Sequence, residues 1–450
     1  MEDTIVAIST ALGVGAISII RMSGNDSIEI ANKIYKGKDL TKANSHTINY
    51  GYIMDKDKII DEVLISVMKA PKTYTKEDVI EINCHGGIAT TNKILELLLT
   101  NGARLAEPGE FSKRAFLNGR IDLVEADGIM NIIEAKTQKA RELSVNQLSG
   151  KVSELIVSLR EKLVQIISNI EVNIDYPEYE DIEQITNEKI YNEVLQFKKD
   201  LEKIILEAEE GKIITEGLKV AIIGKPNVGK SSLLNALLEE EKAIVTNIEG
   251  TTRDTVEGSL SISGIPLTII DTAGIRKTDN IVEQIGVNKS MDTIEKADLI
   301  IYMLNNNEDI SFEDEKLYNK IKNKKHIVVI NKIDLENKLN LPKDINKYIN
   351  LSVINNIGIN ELKNSILEMF HLEQLQTKDL TYLSNARSIS LLKKSLGYIE
   401  NAITNININI PIDMVEIELK NAWETLGEII GQTYTEELID ELFSRFCLGK

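Results

Sequence analysis

The sequence Gly224-Lys225-Pro226-Asn227-Val228-Gly229-Lys230-Ser231 lies between an apolar run at residues 219–223 and a helical pattern at residues 232–238. It reads G-x-x-x-x-G-K-S between a strand and a helix, the pattern of a phosphate-binding P-loop. Its glycines let backbone N–H groups surround phosphates at a helix N-terminus, which favours anions. We therefore expect Lys230 to reach the β- and γ-phosphates of a nucleotide and Ser231 to bind Mg²⁺.

Two further motifs follow in the order expected for a nucleotide hydrolase. A strand at residues 267–270 ends in Asp271-Thr272-Ala273-Gly274, where Asp271 fits the carboxylate that holds Mg²⁺ through water. The stretch Gly250-Thr251-Thr252-Arg253-Asp254 lies before it, as a switch loop should. Strands that alternate with helices predict a doubly wound parallel sheet.

The purine is predicted from Asn331-Lys332-Ile333-Asp334, which follows a strand at residues 327–330. An ionised Asp334 accepts two hydrogen bonds from the ring N–H and the exocyclic amine of guanine. Adenine lacks this pair of donors and would leave the carboxylate unpaired. Ser352 follows where a further base-contacting loop belongs, although Val353 and Ile354 depart from the usual residues there. We therefore expect GTP.

Ile275 stands where many small GTPases have a glutamine that orients water. An isoleucine has no polar atom for that task, so either hydrolysis is slow or other groups serve. Asn227 is a candidate ligand for a monovalent cation near the phosphates. Glu283 is a candidate to orient water, and the alternative for it is a solvated carboxylate at a helix start.

The rest of the chain has two patterns. Short strands at residues 4–7, 16–21, 62–67 and 79–83, with a helix at 88–99, predict an α+β domain before residue 118. Helical periodicity follows at residues 121–211 and returns at 388–404, 411–430 and 435–446. We expect the late helices to pack with the early ones, because apolar stripes on both sides of the nucleotide-binding part need partners.

Composition argues against several classes of protein. The 450 residues have a formal net charge of -18, which does not favour a stand-alone nucleic-acid binder. The cysteines, Cys84 and Cys447, are too few for a disulfide framework, so we expect a reducing, cytoplasmic compartment. The acidic start lacks the pattern of a signal peptide, and no apolar run is long enough to span a membrane.

Several stretches together resemble the MnmE (TrmE) family of tRNA-modification GTPases over essentially the full chain. Besides the nucleotide motifs they are Asp3–Ala7, Ile19–Arg21, Glu81, His85-Gly86-Gly87, the block from Pro108-Gly109-Glu110-Phe111 to Arg120, and Cys447-Leu448-Gly449-Lys450. The Pro-Gly-Glu-Phe block and the Cys-x-Gly-Lys end are specific to the family, whereas the nucleotide motifs are shared by many GTPases.

The resemblance implies a domain organisation. An N-terminal α+β domain at 1–118 would bind folate and dimerise, and a discontinuous helical domain would consist of 119–215 and 376–450. A P-loop G domain at 216–375 would be inserted between those two helical parts.

The resemblance also implies the site residues. GTP contacts would come from Asn227, Val228, Gly229, Lys230, Ser231, Ser232, Thr246, Asn247, Ile248, Glu249, Gly250, Thr251, Thr252, Asp271, Thr272, Ala273, Gly274, Asn331, Lys332, Asp334 and Ser352. Mg²⁺ would bind Ser231 and Thr252, and K⁺ would be surrounded by Asn227, Thr246, Ile248 and Thr251. Glu283 and Lys230 would be catalytic, the folate site would contain Arg21, Glu81, Arg120 and Lys450, and Cys447 is a candidate reactive thiol.

The implied function is potassium-activated GTP hydrolysis by a homodimer. With the flavoprotein MnmG, in a heterotetramer, it would add a carboxymethylaminomethyl or aminomethyl group to C5 of wobble uridine 34 of certain tRNAs. The one-carbon unit would come from 5-formyltetrahydrofolate or a related tetrahydrofolate. The alternatives are a ribosome-assembly or signalling switch GTPase, and a folate-binding scaffold with a vestigial GTPase.

Overall fold

The structure is a computed structural model that describes residues 3–175, 187–240, 258–270, 294–342, 344–370, 372 and 383–450. Two units have their own cores. One consists of Met1–Met130 with Leu426–Lys450, and the other is Asn131–Thr425. The N-terminal α+β part thus shares a unit with the last residues of the chain, while the nucleotide motifs lie in the other unit.

A seven-stranded sheet forms the centre of the first unit. Its strands are β1 Ile5–Ile8, β2 Gly15–Ser23, β3 Tyr35–Gly37, β4 Thr47–Asp55, β5 Lys58–Met68, β6 Val79–Gly86 and β7 Arg104–Leu105. They lie in the order β3-β4-β5-β6-β2-β1-β7, with β1 and β7 parallel and the other neighbours antiparallel. Helices α1 Ser27–Ile34 and α2 Ile88–Thr100 share one apolar core with this sheet. The short 3-10 helix Leu40–Lys42 lies before β4.

The other helices within the described residues are distributed over the two units. They are α3 Glu110–Leu117, α4 Leu123–Glu134, α5 Gln138–Leu148, α6 Lys151–Asp175, α7 Asn187–Glu216, α8 Lys230–Glu240, α9 Phe312–Ile321, α10 Ile359–Met369, α11 Ala386–Asn407, α12 Ile412–Ile430 and α13 Glu436–Ser444. None of the helices in the described part of the chain is long and apolar enough to cross a membrane.

The late helices pack with the early ones, as the apolar stripes predicted. Within the second unit α11 lies along α7, and ion pairs join them where Lys393 contacts Glu209 at 2.6 Å and Lys198 contacts Glu400 at 2.9 Å. In the first unit α13 packs against α3, and the ring centroids of Phe443 and Phe116 are 6.2 Å apart. This contact brings the chain beyond α13 to the N-terminal sheet.

The second unit contains a six-stranded sheet with helices on both faces. Its strands are β8 Leu218–Ile223, β9 Gly258–Ile262, β10 Ile265–Ile270, β11 Leu299–Asn305, β12 His326–Asn331 and β13 Ile349–Asn350. They lie in the order β13-β12-β11-β8-β10-β9. Helices α8 and α10 pack on one face and α9 on the other, so the sheet is doubly wound as predicted.

The expectation of an entirely parallel sheet is wrong at one edge. Strand β9 is antiparallel to β10, while the other neighbouring pairs are parallel. The link between them is Ser263-Gly264, both with positive φ, at 52° and 84°. Such a two-residue turn closes a hairpin and therefore forces antiparallel pairing.

Candidate functional site

The loop between β8 and α8 has the backbone shape that phosphate binding requires. Gly224 and Gly229 have φ angles of 151° and 104°, which residues other than glycine rarely adopt. A Cβ on Gly224 would lie 2.4 Å from the carbonyl oxygen of Met303, and one on Gly229 would lie 2.3 Å from Nδ2 of Asn331. Conformation and space therefore both demand glycine at these positions.

Lys230 begins helix α8, and its ammonium group lies within the loop. Nζ donates hydrogen bonds to the carbonyl oxygens of Gly224, at 2.6 Å, and Lys225, at 2.7 Å. Burial lowers the pKa of this ammonium group, because the low-dielectric surroundings penalise its charge. A bound phosphate would supply the opposing charge that these neutral carbonyl groups only partly replace.

The loop residues also have ligand chemistry that suits the expected cations. Asn227 is exposed with a φ of 61°, a conformation that asparagine tolerates better than most residues, and its amide oxygen is a suitable ligand for K⁺. Ser231 and Ser232 follow Lys230 in the first turn of α8, and hydroxyl oxygen suits Mg²⁺. Asn227 and Ser231, the expected cation ligands that lie within the described residues, therefore have oxygen atoms suited to these cations.

The predicted base-contacting residues meet at the carboxyl ends of β12 and β13. Nδ2 of Asn331 donates to the carbonyl oxygen of Val228 at 2.8 Å, and its Oδ1 accepts from the backbone N–H of Val353 at 3.4 Å. Asp334 is exposed, and its Oδ1 accepts from Oγ of buried Ser352 at 2.5 Å. Val353 thus contributes its backbone to the site, which explains why the unusual side chain at this position is tolerated.

Part of the expected nucleotide site lies outside the described residues. This applies to Thr246, Asn247, Ile248, Glu249, Gly250, Thr251, Thr252, Asp271, Thr272, Ala273, Gly274 and Glu283. The described residues therefore contain the phosphate-binding loop and the base-contacting end of the site.

A second cluster of predicted residues lies on the sheet of the first unit. Arg21 on β2 is directly opposite Glu81 on β6. Nε and Nη2 of Arg21 donate to Oε1 of Glu81 at 2.9 Å and 2.7 Å, while Nη1 donates to the carbonyl oxygen of Gly449 at 3.3 Å. The arginine thus joins the sheet to the last residues of the chain.

Tyr74 also belongs to this cluster, although the sequence motifs did not predict it. The guanidinium carbons of Arg21 and Arg120 lie 5.8 Å and 5.0 Å from the centre of its ring. Its hydroxyl shares a 2.7 Å hydrogen bond with Oγ of Ser112, and burial raises its pKa. An aromatic residue in the polar stretch Lys72–Asp78 was the available signal, but only the fold places it between two arginines.

Lys450 completes the cluster through backbone contacts of the tail, which we define as Cys447–Lys450. The backbone N–H of Phe111 donates to the carbonyl oxygen of Lys450 at 3.2 Å, and that of Gly109 donates to the carbonyl oxygen of Cys447 at 3.4 Å. Burial, and then the positive charge of Arg21, lower the pKa of the Lys450 ammonium group. A bound carboxylate would offset this unfavourable effect of the Arg21 charge on the Lys450 ammonium group.

The tail is fixed by a glycine and leaves its cysteine open to solvent. Gly449 has a φ of 87°, and a Cβ there would lie 2.8 Å from Cα of Ser9. Oγ of Ser9 donates to the carbonyl oxygen of Gly449 at 3.2 Å. Cys447 is exposed, whereas Cys84 is buried in the sheet, where burial raises its pKa to about 11. Of the two thiols, only that of Cys447 is accessible.

The fold and the nucleotide site define the class of protein. A doubly wound sheet carries the P-loop lysine Lys230 at the end of one strand and the Asn331–Asp334 motif at the end of another. The first motif binds nucleotide phosphates. The second selects guanine because its carboxylate accepts hydrogen bonds from the donors of that base. These features define a P-loop GTPase.

Comparison with known proteins identifies the particular family. The family model described as MnmE helical domain matches residues 123–447, and the one described as GTP-binding protein TrmE N-terminus matches residues 4–120. A tRNA modification GTPase MnmE from Bacillus cytotoxicus is 50% identical over 455 aligned positions, which cover 100% of this chain and 99% of that protein. The chain therefore belongs to the MnmE family of tRNA modification GTPases, and its enzymatic activity is GTP hydrolysis.

A second relative agrees with this assignment. The tRNA modification GTPase MnmE of Bacillus subtilis (strain 168) is 50% identical over 458 aligned positions, covering 100% of both chains. A crystal structure of Era in complex with MgGDPNP and nucleotides 1506-1542 of 16S ribosomal RNA is 32% identical over 34% of this chain and 56% of that chain. Its TM-score of 0.26 is too low for a comparison of the folds.

The base end of the site yields a test of guanine recognition. We expect Asp334→Asn to weaken GTP binding by at least about 100-fold, because two hydrogen bonds to a charged acceptor are lost, at about 1.5–3 kcal/mol each. Xanthosine triphosphate has a carbonyl in place of the amino group of guanine, so its affinity should rise in the same variant. Calorimetric titration with both nucleotides measures the change.

The matched control for Asp334→Asn is Glu336→Gln, which removes an exposed carboxylate two residues away whose partner is Lys338. Its GTP affinity should equal that of the wild type. If Asp334→Asn binds GTP as tightly as the wild type, Asp334 does not recognise the base.

Proposed function

We propose that this chain is a potassium-activated GTPase that acts with the flavoprotein MnmG in the cytoplasm to modify C5 of wobble uridine 34 in certain tRNAs. It would add a carboxymethylaminomethyl or aminomethyl group, with one carbon supplied by a folate. The observation that carries this proposal is a cation cluster in a chain that also has a GTPase site. The guanidinium groups of Arg21 and Arg120 lie against the ring of Tyr74, and the charge of Arg21 acts on the Lys450 ammonium group. A GTPase that served only as a switch would have no need of this cluster.

The chemistry of the cluster supports 5-formyltetrahydrofolate or a related tetrahydrofolate as its ligand. Folates combine glutamate carboxylates with a flat pterin ring. Arg21, Arg120 and Lys450 provide positive charge for carboxylates, and the half-buried ring of Tyr74 provides an aromatic surface. Glu81 accepts from Arg21 and fixes the direction of its guanidinium plane. Its carboxylate is also a suitable acceptor for pterin N–H groups.

For hydrolysis, we propose that Lys230 binds the β- and γ-phosphates while Ser231 and Thr252 bind Mg²⁺. Asn227, Thr246, Ile248 and Thr251 would surround K⁺. The cations would neutralise charge that develops on the phosphoryl oxygens. Glu283 would orient the attacking water, a role that Ile275 has no polar atom to fill.

The domain organisation is part of the proposal. We infer an N-terminal folate-binding domain at 1–118, a G domain at 216–375 inserted between helical parts at 119–215 and 376–450, and a homodimer. The face of the first sheet that bears exposed Ile48, Tyr50 and Leu64 supports dimerisation, because an apolar sheet face of this kind gains stability when covered. With a net charge of -18, the chain would rely on MnmG for much of the grip on tRNA.

Nucleoside analysis of tRNA from cells that lack this protein tests the function directly. We expect the C5-modified wobble uridines to disappear and the unmodified uridine to accumulate in the same tRNAs. Re-expression of the wild-type chain should restore them, and a Lys230→Ala variant should not, because it removes the phosphate-binding ammonium group. Normal wobble uridines in the deletion strain would disprove the assigned function.

The rate of GTP hydrolysis in K⁺ compared with Na⁺ tests the cation site. We expect turnover to be about tenfold faster or more in K⁺, which corresponds to about 1.4 kcal/mol of transition-state stabilisation. Asn227→Ala should reduce the difference, and Glu283→Ala should lower turnover in both salts while GTP affinity is retained. Equal wild-type rates in the two salts would exclude the potassium role.

Calorimetry with 5-formyltetrahydrofolate tests the cluster. We expect binding by the wild type, loss of binding in Arg21→Ala, and weaker binding in Gly449→Ala, because a Cβ there would displace the tail from Ser9. The matched control is Gly397→Ala in helix α11, where an added Cβ meets no atom within 4 Å. Thermal unfolding verifies that each variant is folded. Absence of a binding signal with the wild type would refute the folate site.

A further inference from the structure

The P-loop contains a second lysine, Lys225, whose side chain does not take part in the loop contacts of Lys230. Nζ of Lys225 forms an ion pair with Oδ2 of Asp314, in helix α9. The side chain of Asp314 is only 6% exposed and that of Lys225 is 23% exposed, so both charges are largely removed from solvent. Exposed ion pairs contribute little, but a carboxylate as buried as this one requires its partner.

Asp314 is held firmly from its own side. It is the third residue of helix α9 and forms a capping box with Ser311, in which its Oδ2 accepts from the backbone N–H at 3.0 Å and from Oγ at 2.9 Å. The hydroxyl of buried Tyr302 on β11 donates to the carbonyl oxygen of Asp314 at 3.0 Å. Contacts with the sheet and with the start of α9 therefore hold Asp314 in place as a fixed point. A negative charge is favourable at the start of a helix.

Lys225 connects this fixed point to the phosphate cradle. Its side chain contacts Asp314, and its carbonyl oxygen accepts from Nζ of Lys230 at 2.7 Å. The neighbouring residue Gly224 supplies the other carbonyl oxygen that receives Nζ of Lys230, at 2.6 Å. The ion pair therefore anchors the part of the loop that holds the phosphate-binding ammonium group before nucleotide arrives.

We propose that the Lys225–Asp314 ion pair is a positioning device that holds the phosphate-binding loop in its binding conformation. Lys225 acts through loop geometry rather than as a phosphate ligand, because its charge is already neutralised by Asp314. A loop fixed in this way loses less conformational entropy when nucleotide binds, so affinity rises. The proposal rests on the nucleotide site of the GTPase and is independent of the potassium and folate proposals.

The test is nucleotide affinity and steady-state GTP hydrolysis of the full-length protein with Mg²⁺, for Lys225→Met, Asp314→Asn, the double variant and Lys225→Arg. We expect the two single variants to weaken the binding of GDP and GTP about tenfold and to raise KM for GTP similarly, with kcat changed less than about twofold. The double variant should be no weaker than either single variant, because both remove the same interaction. Lys225→Arg keeps the charge and should retain wild-type affinity.

The matched control is Glu313→Gln, which removes a charge from the same turn of α9 at the residue next to Asp314. Its affinity and kinetics should equal those of the wild type.

The opposite assumption, that Lys225 attracts phosphates directly, predicts a different result for Asp314→Asn. Releasing the lysine from its carboxylate would then tighten nucleotide binding. Tighter or unchanged binding in Asp314→Asn, or additive losses in the double variant, would overturn the proposal.

Melting temperatures show whether the variants fold. If Asp314→Asn does not fold, the comparison of Lys225→Met with Lys225→Arg still tests the proposal. Equal nucleotide affinities of these two variants would overturn it. If the wild type itself binds no guanine nucleotide, the assignment of the nucleotide site is wrong, and this outcome is distinct from a failure of the ion-pair proposal.

Discussion

The side-chain amide of Asn331 joins the phosphate end and the base end of the nucleotide site. It donates to the carbonyl oxygen of Val228 in the P-loop and accepts from the backbone N–H of Val353 in the last base-contacting loop. The fit at the P-loop is so close that only a glycine at position 229 leaves room for it. The order of strands β12, β11 and β8 is what brings the P-loop and Asn331 together, so the site requires these neighbouring strands of the sheet.

The tail of the chain has an equally specific place in the first unit. Backbone hydrogen bonds hold Cys447 and Lys450 against residues 109–111, and the carbonyl oxygen of Gly449 accepts from both Ser9 and Arg21. Such backbone contacts fix the tail with little dependence on its side chains. Cys447 is left exposed in this tail, so its thiol is accessible to solvent.

Each of the two candidate sites is built from residues of its own unit. The nucleotide site uses Gly224–Ser231, Asn331–Asp334 and Ser352, while the cation cluster uses Arg21, Tyr74, Arg120 and Lys450. In the proposed function, free energy from GTP hydrolysis would influence the one-carbon chemistry through a change of conformation.

The sequence by itself determined the P-loop, the preference for guanine, the helical stripes and the alternation of strands and helices that predicts a doubly wound sheet. Each of these depends on residues that are close along the chain. Only the tertiary structure decided the antiparallel edge strand β9, the strand β4, the place of Tyr74 and the pairing of Lys225 with Asp314. With 52 basic and 70 acidic residues, the sequence offers far too many partners for any one charge. The partner is chosen by the packing of strands and helices, which brings together residues that lie far apart in the chain.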